Sequence, residues 1–174
     1  LPTDNVVVSA VSTVGEIANQ AAGQESAAVA TEAVMIDVPA DAGPLALREA
    51  AAAGDARALF AIGTYYAEGR AAKPDMAKAA EWYQKSADLG FAPAEYRVGN
   101  MYEKGIGVER DLPRSRDLYL SAARKGNAAA MHNLAVLYAM GAAGETDNTA
   151  AAKWFLEAAE YGVKDSQFNL GILT

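Results

Sequence analysis

Glycines recur every 36 residues through the last two thirds of the chain, and two other residue types keep the same step. The residues in register are Gly54, Gly90, Gly126 and Gly162, Tyr66, Tyr102 and Tyr138, and Asp75, Asp111 and Asp147. A fixed period between about 20 and 50 residues is the signature of stacked repeats, in which each unit contacts only its neighbours. The period therefore predicts a solenoid, and it directs the search for function to the surface that neighbouring units share.

Each unit has the pattern of two helices joined by a short loop. In the first unit, Leu59, Ile62 and Tyr66 recur at helical spacing and form one apolar face. Gly69 follows where a left-handed residue would end this helix, and Asp75 stands where a carboxylate would cap the next one. The pattern therefore predicts an all-α fold.

The predicted repeat domain covers residues 43–174. Its parts are a capping helix at 44–54, full repeats at 55–90, 91–126 and 127–162, and a partial repeat at 163–174. A small residue occupies one slot of every unit: Gly63, Gly99, Ala135 and Gly171. Because two helices approach closely only where a side chain is missing, we expect tight packing at this slot, with Trp82 or Trp154 lying over the gap.

Residues 1–42 have a different composition, with six acidic residues and no lysine or arginine. We interpret this range as a low-complexity acidic linker or tether, flexible or extended, with a second ordered module as the alternative. The chain carries a net charge of −7, but residues 48–174 are almost neutral. Since a nucleic-acid-binding domain is expected to show a basic stripe, we expect no nucleic-acid partner.

No apolar run approaches the roughly 20 residues that a membrane helix needs, so we expect no membrane span within this sequence. The chain starts at Leu1 and stops inside a repeat, and we expect it to be a fragment of a longer protein. It contains no cysteine and one histidine, His132, which excludes thiol nucleophiles and a two-histidine zinc site. A Gly-x-Ser-x-Gly nucleophile motif is also missing. We therefore predict no catalytic residue, no metal and no cofactor.

The second unit resembles the Sel1-like repeat, a relative of the tetratricopeptide repeat with a longer inner loop. The residues that carry the resemblance are Gly105-Ile106-Gly107-Val108, Asp111, Tyr119, Ala122-Ala123 and Gly126. It extends over residues 55–174, although the first and third units have Ala71-Ala72 and Ala143-Gly144 in place of the Gly-Val pair. The resemblance implies a right-handed superhelix of helix-turn-helix repeats that binds partners and has no chemistry of its own.

Three further runs are similar to the C-terminal region of the PodJ-type polar localization factors of alphaproteobacteria. They are Gly43–Ala51, Met131–Ala135 and Asp165–Gly171. In that family a membrane helix precedes a periplasmic Sel1-repeat part. The resemblance implies a periplasmic location, tethering to the inner membrane by a segment upstream of this sequence, and recruitment of cell-pole and division proteins.

By analogy with tetratricopeptide arrays, we expect the first helix of each unit to line a concave wall. The outward residues that we predict to bind a partner there are Arg57, Phe60, Thr64, Glu68, Tyr96, Asn100, Lys104, His132 and Val136. Their aromatic rings, amides and charges suit an extended peptide or sugar rings. The alternative is that the aromatic residues only pack between adjacent repeats.

These observations favour a non-catalytic scaffold that binds other proteins or peptides of the cell envelope. A module that binds peptidoglycan or another glycan is the alternative, and a cell-wall hydrolase or β-lactamase-like enzyme is a more distant one.

Overall fold

A computed structural model describes residues 35–70 and 72–173. Its helices are α1 (Leu45–Ala52), α2 (Ala56–Ala67), α3 (Met76–Asp88), α4 (Ala92–Lys104), α5 (Leu112–Arg124), α6 (Ala128–Met140), α7 (Asn148–Glu160) and α8 (Lys164–Leu173). Each helix packs mainly against the helices before and after it. The pairs α2/α3, α4/α5 and α6/α7 are consecutive hairpins, and they stack into an α-solenoid. The predicted all-α repeat fold is confirmed.

None of the helices in the described ranges is both long and apolar enough to cross a membrane.

The inner loop of every hairpin is closed by the same two contacts, which the periodic aspartates provide. As predicted, Asp75, Asp111 and Asp147 cap the second helices, because their carboxylates accept from the backbone N–H of Lys78, Arg114 and Ala150 at 3.0, 3.0 and 2.8 Å. The backbone N–H of each aspartate donates to the carbonyl of the tyrosine nine residues earlier, at 2.9, 3.0 and 3.0 Å. The periodic aspartates and tyrosines therefore meet in equivalent environments.

The small-residue slot brings the two helices of a hairpin into close contact, but the covering ring differs from the prediction. A Cβ built on Gly63 would lie 2.5 Å from the ring of Tyr83, and one on Gly99 would lie 2.9 Å from the ring of Tyr119. The expectation that Trp82 covers the gap is therefore wrong. Successive helical residues point about 100° apart, so only one of two neighbouring rings can face the first helix.

The described part of the predicted linker packs against the first hairpin. Val38 and Ala42 are fully buried in the core, the backbone N–H of Ile36 donates to the carbonyl of Ala52 at 3.2 Å, and Tyr66 donates to Asp41 at 3.1 Å. The packed domain therefore begins before residue 43, because these residues contact α1 and α2 and join their core. The linker prediction for residues 1–34 lies outside the described residues.

Candidate functional site

The predicted binding residues lie on α2, α4 and α6, or directly after α2 in the case of Glu68. Three of them, Arg57, Glu68 and Lys104, are exposed. The other six are half-buried: Phe60, Thr64, Tyr96, Asn100, His132 and Val136. We call the surface formed by the outward residues of α2, α4, α6 and α8 the first-helix face.

The predicted aromatic ladder is a series of ring pairs, each joining the two helices of one hairpin. The pairs are Phe60–Tyr83, Tyr96–Tyr119 and His132–Phe155, with ring centroids 5.0, 5.9 and 5.6 Å apart. Phe60 also contacts Phe91 of the next unit at 5.6 Å. The rings thus have a packing role, largely within a repeat, and the edges that remain exposed contribute to the first-helix face.

Residues that recur every 36 positions on α1 and on the second helix of each hairpin mark four sites on the first-helix face, in equivalent positions in successive repeats. Site 1 lies between α1 and α2 at Leu47, site 2 between α2 and α4 at Tyr83, site 3 between α4 and α6 at Tyr119, and site 4 between α6 and α8 at Phe155. The same backbone therefore presents four sets of side chains in a row.

Site 3 is a hydrogen-bonded polar cluster. The Tyr119 hydroxyl donates to Glu103 Oε2 at 2.5 Å and accepts from the amides of Asn133 and Asn100 at 3.2 and 3.4 Å. Burial of the Tyr119 ring, and then the Glu103 carboxylate, raise the pKa of this phenol well above its ordinary value of 10.0. The cluster thus holds a neutral tyrosine and a carboxylate between three helices.

Site 2 is cationic. The Arg97 guanidinium lies over the Tyr83 ring, 5.6 Å from its centroid, and Thr64 Oγ1 is 3.0 Å from the Tyr83 hydroxyl. Arg97 forms no ion pair within the described ranges, and neither does Lys104 at the end of α4. Arg97, a cation without an ion-pair partner in these ranges, therefore lies over site 2, and Lys104 follows seven residues later on α4.

Site 4 is the apolar counterpart of site 3. Its walls are Val136, Ala139, Met140, Phe155, Asn169 and Ile172, around a depression of about 220 Å³. Phe155 lacks the hydroxyl of Tyr119, and Val136 replaces Asn100 at the same slot. The Met140 side chain is 72% exposed, so its thioether is accessible to solvent at the edge of this depression.

Site 1 is a second apolar depression at the opposite end, of about 370 Å³. Its walls are Pro44, Leu47, Phe60, Ala61, Thr64, Tyr65 and Arg70. The Arg70 guanidinium is paired with Glu68 at 2.6 Å, so the charges of this site largely cancel. Phe60 and Thr64, both predicted as binding residues, contribute to it.

The fold adds to this face a row of side chains that was not predicted from the sequence. Arg97, Asn133 and Asn169 stand 36 residues apart and each enters one site, as does Glu103 in site 3. Arg97, Asn133 and Asn169 each follow directly after the recurring ring position of Tyr96, His132 and Phe168, and this recurrence was a usable signal. The second-helix rings carried no such signal, because a periodic aromatic residue is equally expected in a core.

The one Ser–His contact in the described ranges does not form a catalytic site. His132 Nδ1 lies 2.6 Å from Ser166 Oγ, but Ser166 is fully buried between helices. A nucleophile must reach its substrate, so this pair instead ties α8 to α6. In the same ranges, no group of three or more histidine, aspartate or glutamate side chains is placed to hold a metal ion.

Comparison with known proteins identifies the repeat. The Sel1 repeat model matches residues 56–91, 92–127 and 128–162. The crystal structure of c5321, described as a protective antigen of uropathogenic Escherichia coli strains with an SLR fold, has 32% identity and a TM-score of 0.71, covering 73% of this chain and 27% of that one. A Sel1 repeat protein from Oxalobacter formigenes has 28% identity and a TM-score of 0.69, covering 73% of this chain and 52% of its own.

The chain thus spans between a quarter and about half of these two structures. No curated protein sequence matches it significantly. The match to the repeat model covers more than half of the chain, and the fold is that of the solved Sel1 structures. The chain therefore belongs to the Sel1 repeat family, whose members generally serve as protein-interaction scaffolds.

Proposed function

We propose that this chain is a non-catalytic scaffold that holds proteins or peptides of the cell envelope on its first-helix face. The observation that supports it is the row of four equivalent sites, in which the backbone repeats and the chemistry changes. The core slot keeps an apolar residue in Ile62, Val98 and Leu134, as packing requires. The face slots are free of that requirement, and such variation on a regular frame suits recognition of a particular partner.

The place of action is a further part of the proposal. The similarity to PodJ-type polar localization factors supports a periplasmic domain, tethered to the inner membrane from outside this sequence, that recruits or positions cell-pole and division proteins. A near-neutral repeat region following an acidic stretch is compatible with that arrangement.

Site-specific photocrosslinking tests the interaction role and the face together. A photoreactive residue at Lys104, exposed at the end of α4, is expected to capture defined envelope proteins in cells. The matched control is the same photoreactive residue at Arg124, an exposed cation at the end of α5, which is the second helix of its hairpin. Equal capture at both positions, or capture at Arg124 alone, would exclude the first-helix face.

Peptidoglycan binding by the same face is the second candidate. The amides and carboxylate around Tyr119 favour it, because such groups hydrogen-bond sugar hydroxyls. The rings of Phe60 and Tyr96, in contrast, are half-buried and expose their edges, so they do not offer a sugar ring an open face on which to stack. Sedimentation with purified sacculi decides this, since a glycan-binding module would pellet and Asn133→Ala would reduce the pelleted fraction.

A further inference from the structure

We propose that the first-helix face binds an extended peptide segment with two large apolar side chains about nine residues apart and an acidic residue about three residues from one of them. This inference rests on the proposed function and specifies the chemistry of the partner.

Apolar depressions lie at both ends of the row and polar sites lie between them. Site 1 is lined by Leu47, Phe60 and Tyr65, and site 4 by Phe155, Met140 and Ile172. Each can cover part of a leucine-sized side chain, which removes apolar area from water and stabilises the complex. A segment held at both ends must cross sites 2 and 3.

Charge complementarity selects the residue that crosses site 2. The whole chain carries a charge of −7, yet Arg97, which lies over the ring of site 2, has no ion pair within the described ranges. The Tyr83 ring holds the Arg97 guanidinium in place, which limits the side-chain entropy lost on binding. A carboxylate of the partner is therefore the group that site 2 is suited to bind.

Site 3 disfavours a second carboxylate and favours backbone amides. Glu103 already accepts from Tyr119, and its negative charge would repel an acidic side chain. Asn100 and Asn133 have amide groups that can hydrogen-bond the N–H and C=O of an extended chain. The acidic residue of the partner is thus expected over site 2, between the two apolar anchors and nearer to the one in site 1.

The spacing follows from helix packing. The first helices of successive repeats meet through their side chains, since Asn100 of α4 and Asn133 of α6 share the Tyr119 hydroxyl and His132 of α6 contacts Ser166 of α8. Helices in such contact lie about 10 Å apart, so successive sites are separated by about 10 Å and sites 1 and 4 by about 30 Å. An extended chain advances about 3.3 Å per residue, which gives about three residues from site 1 to site 2 and about nine from site 1 to site 4.

The test uses fluorescein-labelled synthetic peptides and the complete chain in fluorescence anisotropy titrations. The probe has two leucines and one aspartate at the stated spacings in a serine and threonine background, in both chain directions, with neighbouring spacings also included. Arg97→Glu is expected to weaken binding by roughly tenfold or more, as loss of a hydrogen bond to a charged group does. Replacing the aspartate of the peptide with lysine is expected to restore binding to that variant.

Two matched control variants distinguish binding at these sites from a general effect of surface charge or of exposed apolar area. Arg124→Glu makes the same charge change at the end of α5, the second helix of its hairpin, and is expected to leave affinity unchanged. Met140→Ser is expected to weaken binding by roughly threefold to tenfold, whereas Leu156→Ser, which removes a 49% exposed side chain from α7, is expected to have no effect.

Three results would overturn the inference. They are failure of the wild-type chain to bind a probe of any spacing, equal losses in Arg97→Glu and Arg124→Glu, and self-association of the chain that accounts for the signal. Crosslinking through Lys104 to envelope proteins would still stand in each case, so a wrong peptide class is distinguishable from a wrong function.

Discussion

The small-residue slot allows one substitution, glycine to alanine, to be compared in three places with three expected outcomes. Replacing glycine with alanine inside a helix raises the free energy of unfolding by about 1 kcal/mol, because the glycine backbone loses more entropy on folding. Against this stands the space available to the new methyl group. A methyl group at position 63 would lie 2.5 Å from the Tyr83 ring, and one at position 99 would lie 2.9 Å from the Tyr119 ring. A methyl group at position 171 would have no described atom within 4 Å.

These distances determine the sign of each change. Carbon atoms in contact prefer about 3.5–4.0 Å, so Gly63→Ala forces a ring displacement of about 1 Å in a packed hairpin, and such overpacking costs about 1–3 kcal/mol. We expect Gly63→Ala to lower the free energy of unfolding by up to about 2 kcal/mol, Gly99→Ala to change it by less than about 1 kcal/mol, and Gly171→Ala to raise it by about 0.5 kcal/mol.

Thermal unfolding followed by far-ultraviolet circular dichroism measures the series, with about 2–4 °C expected per kcal/mol in a chain of this size. In a Tyr83→Leu background the clash is removed, so Gly63→Ala should no longer destabilise. Equal shifts at the three positions, or a stabilised Gly63→Ala protein, would refute the steric reasoning.

Three other tests, with four substitutions, address separate parts of the structure. Glu95 is buried beside Lys125 at 2.6 Å, with Oε2 unpaired among the described atoms, while Lys125 is 40% exposed. Glu95→Met should therefore be neutral or stabilising and Lys125→Met should cost about 3 kcal/mol in urea unfolding, and the reverse order would contradict this account. Burial, and then Asp41, raise the pKa of Tyr66 to about 12. The protonated Tyr66 hydroxyl therefore contributes fully to the free energy of unfolding below pH 10, and this contribution is lost as the pH rises from 10 towards 12. Tyr66→Phe should remove that part of the pH dependence, and an unchanged profile would show that Tyr66 is not responsible. Asp111→Ala removes the cap of α5 and should cost about 1 kcal/mol, which an unaltered melting temperature would disprove.

Local rules could be read from the sequence because each depends on residues close together in the chain. The 36-residue step predicted the helix pairs, and Asp75 was recognised as a cap because a carboxylate reaches a backbone N–H only three residues away. Gly63 was recognised as a close-packing site for a similar reason, since a missing side chain in a helix pattern indicates a near neighbour.

The contacts across repeats could not be read in this way. The sequence did not show that Tyr83, and not its neighbour Trp82, covers Gly63, because the choice depends on how far α3 is rotated against α2. Nor did it show that Val38 and Ala42 belong to the core. A short apolar stretch has the same sequence pattern in a linker as in a packed segment, and only the tertiary structure shows the surface that it covers.

The amino-acid sequence alone determined the repeat, its caps and its closest helix contacts, because a period imposes the same local environment again and again. The tertiary structure alone decided which side chains share a surface. Arg97 lies on the ring of one hairpin while belonging to the next, and Asn133 joins Glu103 only through the hydroxyl of Tyr119. Such groupings depend on the stacking of one repeat on another, and that geometry is set by the packed core.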